Sequence, residues 1–442
     1  MMTSVPAEPL DRQGFTEWLA KRGALTGRDL EKWDDFCKDR VPSAPSLLAW
    51  PYHTFKKILG AGLKEDPALA ARLPAFSIDV LCMEANHFGR LAEHYGDLYR
   101  GTVIANYLLG FFAVFCALAP AIIGIEIDSM WIWIFPLIEL GLLSLMLGLF
   151  LHGRSPHLES AGTASAGRSW WFNQRWHERW LEYRSLAEWF RYADLRRSSP
   201  DVSATAGDDW ASRYFAWRLG SIEWPEGNAP DADDAKNLLA LIHGQQGYHH
   251  DNATRCERIS HRLHVIIACV FVASLGGALF ELLDLALQSS SFLDLALEPL
   301  GFPAGWRLTI CDIPVVSWLA HSCHSHGAHP WIFFTAAMPA LAGALYGIHS
   351  SCEFAKLAHN SYGMVRSLNL LRTEAEELFD PKRPVDPEKL VDPDPKAAPD
   401  KQDKQDINKD SLKKLIGRFL LLCSDEATGW HEILWDKNVP LG

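Results

Sequence analysis

Strand-like alternation is nearly absent from this chain, and so are the short signatures of nucleotide- or metal-dependent enzymes. There is no Gly-x-x-x-x-Gly-Lys-Ser/Thr, no Gly-x-Gly-x-x-Gly, no Gly-x-Ser-x-Gly and no His-Glu-x-x-His. The chain is therefore not expected to be an enzyme, and no cofactor is expected. Nine cysteines occur without one Cys-x-x-Cys pair, which argues against a zinc fold or a disulfide framework and for reduced, buried thiols. A positive charge excess is also missing: the formal net charge is −12, unlike a protein that coats nucleic acid. Residues 1–20 have no apolar stretch, so no cleaved secretion signal is expected. Asp380–Asp406 holds no aromatic residue among its Pro, Asp and Lys, and reads as a disordered linker.

What is present is apolar length. Thr102–Ile125 and Met130–Leu151 each exceed 20 residues and are separated only by Glu126-Ile127-Asp128-Ser129. At 1.5 Å per residue each reaches roughly 30 Å, the hydrocarbon thickness of a bilayer. Leu263–Leu287 and Trp331–Ile348 are a third and a fourth run. The fold class expected is an all-α integral membrane protein, with four transmembrane helices in two hairpins and long cytosolic helical extensions. Mean hydropathy near zero and 18 Trp fit a few spans plus large water-facing parts.

Helical spacing of Ile78, Leu81, Ala85, Phe88, Leu91, Ala92, Tyr95 and Leu98 predicts a cytosolic helix that feeds unbroken into the first span. Helix, span, span, helix then runs over 76–197, and the same order recurs over 235–379 as a weak repeat. The remaining parts are a helical region at 1–75, irregular chain at 198–234 apart from a Trp-rich piece, Trp210–Trp217, the linker at 380–407 and a terminal helix and tail at 408–442. Ser43–Pro51 reads as a Pro-punctuated connector. Lys and Arg avoid 126–129 and nearly avoid 288–330, while Arg100, Arg154, Arg262 and Lys356 flank the spans. Positive-inside counting puts both termini and the 153–262 segment in the cytosol.

Several residues are candidates for function. Glu139 lies near the middle of the second run, where a carboxylate must face protein or water. It could line a cation path or gate, or pair with Asn106 or Ser144 in a packing contact. On Trp170–Arg197, an apolar stripe of Trp176, Trp180, Tyr183, Ala187 and Phe190 leaves Arg175, Arg179, Arg184, Glu188 and Arg191 on the flank. Arginines spaced about a turn apart suit a phosphate ligand or a subunit contact, and Arg184 with Glu188 makes an i, i+4 pair. His321, Cys323, His324 and His326 are weak metal candidates, since their spacing matches no closed tetrahedral motif. Small residues in steps of four, Ala336, Ala340 and Ala344 with Gly343 and Gly347 in the fourth run and Ala273 with Gly277 in the third, predict tight packing of these two runs, either with each other or between subunits.

Two close spans followed by a helix reading Arg184-Ser-Leu-Ala-Glu188-Trp-Phe-Arg-Tyr192 resemble the SLATT family of prokaryotic two-span membrane domains. The resemblance covers about residues 76–379; the helix after the second pair of runs departs from the pattern. It implies a pore-forming effector of anti-phage defence in the membrane lipid, whose cytosolic nucleotide or oligonucleotide signal is made by a partner nucleotidyltransferase. Opening would depolarise the membrane and arrest growth. A single four-span chain offers little polar surface at depth, so a homo-oligomer is expected, a tetramer being one arrangement that would serve. The competing reading is a non-conducting membrane anchor or scaffold for a cytosolic partner protein.

Overall fold

The computed structural model describes residues 12–22, 28–42, 46–60, 79–123, 133–153, 175–198, 209–222, 232–288, 333–379 and 401–434, and the architecture below is that of these residues. All described elements are helical. In chain order they are α1 (Arg12–Arg22), α2 (Arg28–Lys38), α3 (Trp50–Leu59), α4 (Asp79–Ile123), α5 (Ile134–Gly153), α6 (Trp176–Arg191), α7 (Ala193–Ser198), α8 (Trp210–Gly220), α9 (Ala232–Gln288), α10 (Met338–Ser351), α11 (Phe354–Phe379) and α12 (Lys401–Leu434).

Two helices dominate. α4 has 45 residues and α9 has 57, which at 1.5 Å per residue makes them about 67 and about 85 Å long. Each begins amphipathic and becomes apolar without a break, because no Gly-Pro punctuation separates the two halves. Three helices, α4, α5 and α9, are long and apolar enough to cross a membrane. The fourth expected span differs. Its described part is a π-helical turn, Phe333–Ala337, followed by the 14-residue α10, with Pro339 in its first turn. Proline lacks the N–H that regular helical pairing would use there, so the regular helix begins around it.

The amphipathic half of α4 packs as its spacing implied: Leu81, Ala85, Phe88, Leu91, Ala92, Tyr95 and Leu98 are all buried. Against them lies the stripe of α6, with Trp176, Trp180, Tyr183, Ala187 and Phe190 buried too. The two helices are antiparallel, since Tyr99 meets His177 while Phe88 stacks on Phe190 at 5.6 Å. α1, α2 and α8 close this core with Phe15, Trp33, Phe36, Trp210 and Tyr214. Burying each such side chain contributes about 1.5–3 kcal/mol. α9 and α11 form a second antiparallel pair, tied by Gln246 to Asn369 at 2.9 Å and Asn252 to Ser361 at 2.9 Å. α12 docks on it through Leu412, Leu415, Ile416 and Phe419.

Three details depart from the sequence reading. Pro51 opens α3 rather than continuing a connector, as proline does at a first helical turn. The helix expected over 170–197 breaks at Tyr192 into α6 and α7, and residues 170–174 lie outside those described. α12 starts at Lys401, inside the stretch read as a linker; residues 380–400 lie outside the description. The fourth run packs against α9, which holds the third run, and against α4 as well. Gly347 accommodates the Tyr107 ring of α4, where a Cβ would stand 2.1 Å from a ring carbon, and Tyr107 also hydrogen-bonds Ser351 at 3.1 Å. The described cysteines, Cys37, Cys82, Cys116, Cys256, Cys269, Cys352 and Cys423, are all free thiols.

Candidate functional site

The arginine-bearing face of α6 meets α2. Asp35 and Asp39 stand four apart on and just beyond α2, the same step as Arg175 and Arg179, so two cations meet two carboxylates in register. Arg175 pairs with Asp35. Arg179 pairs with Asp35 and Asp39, both at 2.9 Å, and donates to the Tyr95 hydroxyl at 2.9 Å. The Tyr183 hydroxyl donates to the other Asp39 oxygen at 2.5 Å. One turn away, Lys32 lies between Glu178 at 2.6 Å and Glu182 at 2.5 Å, and Trp210 Nε1 donates to Glu182 at 3.0 Å. Arg175 caps α6 with φ of 47°, a left-handed conformation uncommon for a residue with a Cβ. Its ion pair with Asp35 helps hold it there.

Burial and charge act against each other in this seam. Burial pushes the Glu182 carboxyl above its ordinary range, and Lys32 opposes the rise. Burial would lower Lys32, but Glu182 and Glu178 more than compensate, so its pKa rises. Between α2 and α6 these side chains line a cleft of about 10 Å³. A single water needs roughly 10–15 Å³, so the cleft has room for about one water and none for a nucleotide.

The remaining α6 candidates form a second seam. Glu188 is buried, with Arg184 at 2.9 Å and Arg191 at 2.6 Å. Burial raises its pKa, but Arg191 and Arg184 outweigh burial and bring it to about 2. Arg184 also donates to the Tyr248 hydroxyl of α9 at 3.1 Å. Next to it, His249 is buried with Nε2 3.5 Å from Glu426 of α12. All four α6 arginines therefore face carboxylates of this chain.

The membrane candidates do not come together. Asn106 is buried on α4, Glu139 is half-buried on α5 and Ser144 is exposed. His152 touches Trp176 and Tyr99 touches His177, so the end of α5 lies level with Tyr99 and Arg100. From that level Asn106 is about 9 Å along its helix and Glu139 about 20 Å along its own. Ser144 is five residues from Glu139, about 140° round the helix. Among the described residues Glu139 makes no hydrogen bond or ion pair. Apart from Leu149, no described residue of α5 is buried. His321, Cys323, His324 and His326 lie outside the described residues.

Lys32, Asp35, Asp39 and Glu182 were not singled out from the sequence, nor was Glu84. Glu84 is 3 % exposed, accepts from Arg218 Nε at 2.9 Å and from Tyr214, and has its pKa raised by burial. The usable signal was the matched four-residue step of Asp35/Asp39 and Arg175/Arg179. No family model, curated protein or solved structure matches this chain.

Proposed function

We propose that this protein is an oligomeric membrane effector in which a cytosolic helical body controls a conducting path through the bilayer. The observation that carries the proposal is Glu139. A carboxylate at bilayer depth costs several kcal/mol unless protein or water surrounds it. Here it sits on a helix of which, among the described residues, Leu149 alone is buried. A second copy packed on α5 would cover that face, and a ring of Glu139 carboxylates would favour cations. α4 and α9 run unbroken from the charged seams into the apolar segments, so a rotation or shift in the body moves the spans directly.

In this reading the chain crosses a bacterial inner membrane four times, α10 with its preceding turn being the fourth crossing, and both termini are cytosolic. The resemblance to SLATT domains supports a nucleotide or oligonucleotide signal, made by a partner nucleotidyltransferase, and a role in phage defence through depolarisation. Such an anion would have to open one of the two α6 seams and displace a carboxylate from its arginines. Cation flux from liposomes holding the purified protein, with and without nucleotide extracts of infected cells, tests this. Flux that responds to an extract supports the effector. Protein that assembles but conducts under no condition favours the alternative.

That alternative is a non-conducting anchor for a cytosolic partner. The full pairing of Arg175, Arg179, Arg184 and Arg191 favours it, because paired arginines serve architecture without any ligand.

A further inference from the structure

We infer that α3 and the turn before it form an interfacial helix whose outer stripe lies in the lipid headgroup layer. The placement comes from its contacts. At its start, Leu48 O presses on Gly101 of α4, where a Cβ would stand only 2.0 Å away. Tyr52 receives a hydrogen bond from Arg100 at 3.3 Å, and His53 Nε2 lies 3.1 Å from Asp97. At its end, Arg262 of α9 donates to Leu59 O at 2.8 Å. Arg100 and Arg262 are the last cations before the apolar halves of α4 and α9. Both ends of α3 are thus pinned at the level where those halves begin, so the helix lies across them.

Its two faces differ. Leu59 is buried, and Phe55 stacks on Phe354 at 6.4 Å. On the other side Leu47, Trp50, Thr54 and Ile58 follow at steps of three, four and four, one helical stripe. Leu47 is 85 % exposed, Trp50 64 % and Ile58 65 %. Water offers such side chains nothing, whereas the acyl boundary takes up Leu and Ile, and Trp favours the interface. Lys57 is exposed beside the stripe, with Lys56 and Arg262 near it. Cations at this height attract anionic headgroups at about 1 kcal/mol each. The continuity of the stripe with the apolar halves of α4 and α9, together with these cations, selects a lipid surface as its occupant.

The inference rests on α4, α5 and α9 crossing the membrane, and the test separates the two claims. Full-length protein carrying the photocrosslinker p-benzoylphenylalanine in place of Trp50, Ile58, Val272 or Leu370 is placed in phosphatidylethanolamine–phosphatidylglycerol vesicles. Val272 is the exposed apolar reference on α9, and Leu370 the exposed reference well along α11. After irradiation, lipid adducts are expected at 50, 58 and 272, several-fold above the yield at 370. Adducts at 272 with none at 50 and 58, or covalent dimers at 50 and 58, overturn the interfacial helix and leave the spans standing. No lipid adduct at 272 overturns both.

Discussion

Arg179 holds Asp39 at 2.9 Å across the junction of α6 and α2, with the two side chains only 11 % and 9 % exposed. The same carboxylate takes the Tyr183 hydroxyl, and the same guanidinium reaches Tyr95 on α4. Three helices therefore meet at one buried ion pair. Removing one partner of such a pair leaves an uncompensated charge and costs about 3–5 kcal/mol, while replacing both by apolar groups is often neutral. Asp39→Ala is expected to lower the unfolding midpoint in detergent steeply, and Asp39→Ala with Arg179→Met to regain most of it. Equal losses in the single and double variants would show that the pair contributes packing alone.

Glu188 sets a pH dependence of known sign. Its folded-state pKa of about 2 lies below the ordinary value of 4.5. A depressed acid stabilises the fold fully above its unfolded pKa, and that contribution fades as pH falls from about 4.5 toward 2. Chemical denaturation across that window should show Glu188→Gln losing less stability on acidification than the unaltered protein. Parallel curves would remove the two arginines as the source of the shift.

Glu84 has the opposite sign. Burial raises its pKa despite Arg218 and Tyr214, so the folded state favours its neutral form more than the unfolded chain does. Glu84→Gln keeps the shape and removes the buried charge. It is expected to cost less stability at neutral pH than Glu188→Gln, by about 1–2 kcal/mol. Thermal unfolding of the two variants side by side checks the order.

Gly347 tests how α10 is seated. A methyl there meets the Tyr107 ring, and overpacking of this kind costs about 1–3 kcal/mol. Gly347→Ala should destabilise the protein in detergent, and Tyr107→Ala in the same chain should relieve part of that loss. Additive losses would mean that the ring already has room to move.

How much of this was readable beforehand follows from the kind of pattern each part left. α4 was legible because seven apolar residues from Leu81 to Leu98 keep helical spacing up to the first span, and all seven are buried. The buried stripe of α6 was legible for the same reason. The partners of the α6 arginines were not, because Asp35 and Asp39 lie over a hundred residues away on a helix whose charged face looks solvated. α3 was hidden by Pro51, which marks a helix start as readily as a break. The fourth apolar run had the composition of a span, but Pro339 interrupts the backbone pairing that a regular helix would need.

The central claim is that α5 lines a cation path at Glu139, and one comparison tests it directly. Full-length protein and Glu139→Gln are reconstituted in planar bilayers, and current and reversal potential are read under a salt gradient. The account predicts cation-selective current in the unaltered protein, and in Glu139→Gln a current that is smaller or loses its cation preference while the oligomer stays intact. Unchanged current and selectivity in the variant, or no current from either protein under any added extract, would contradict it.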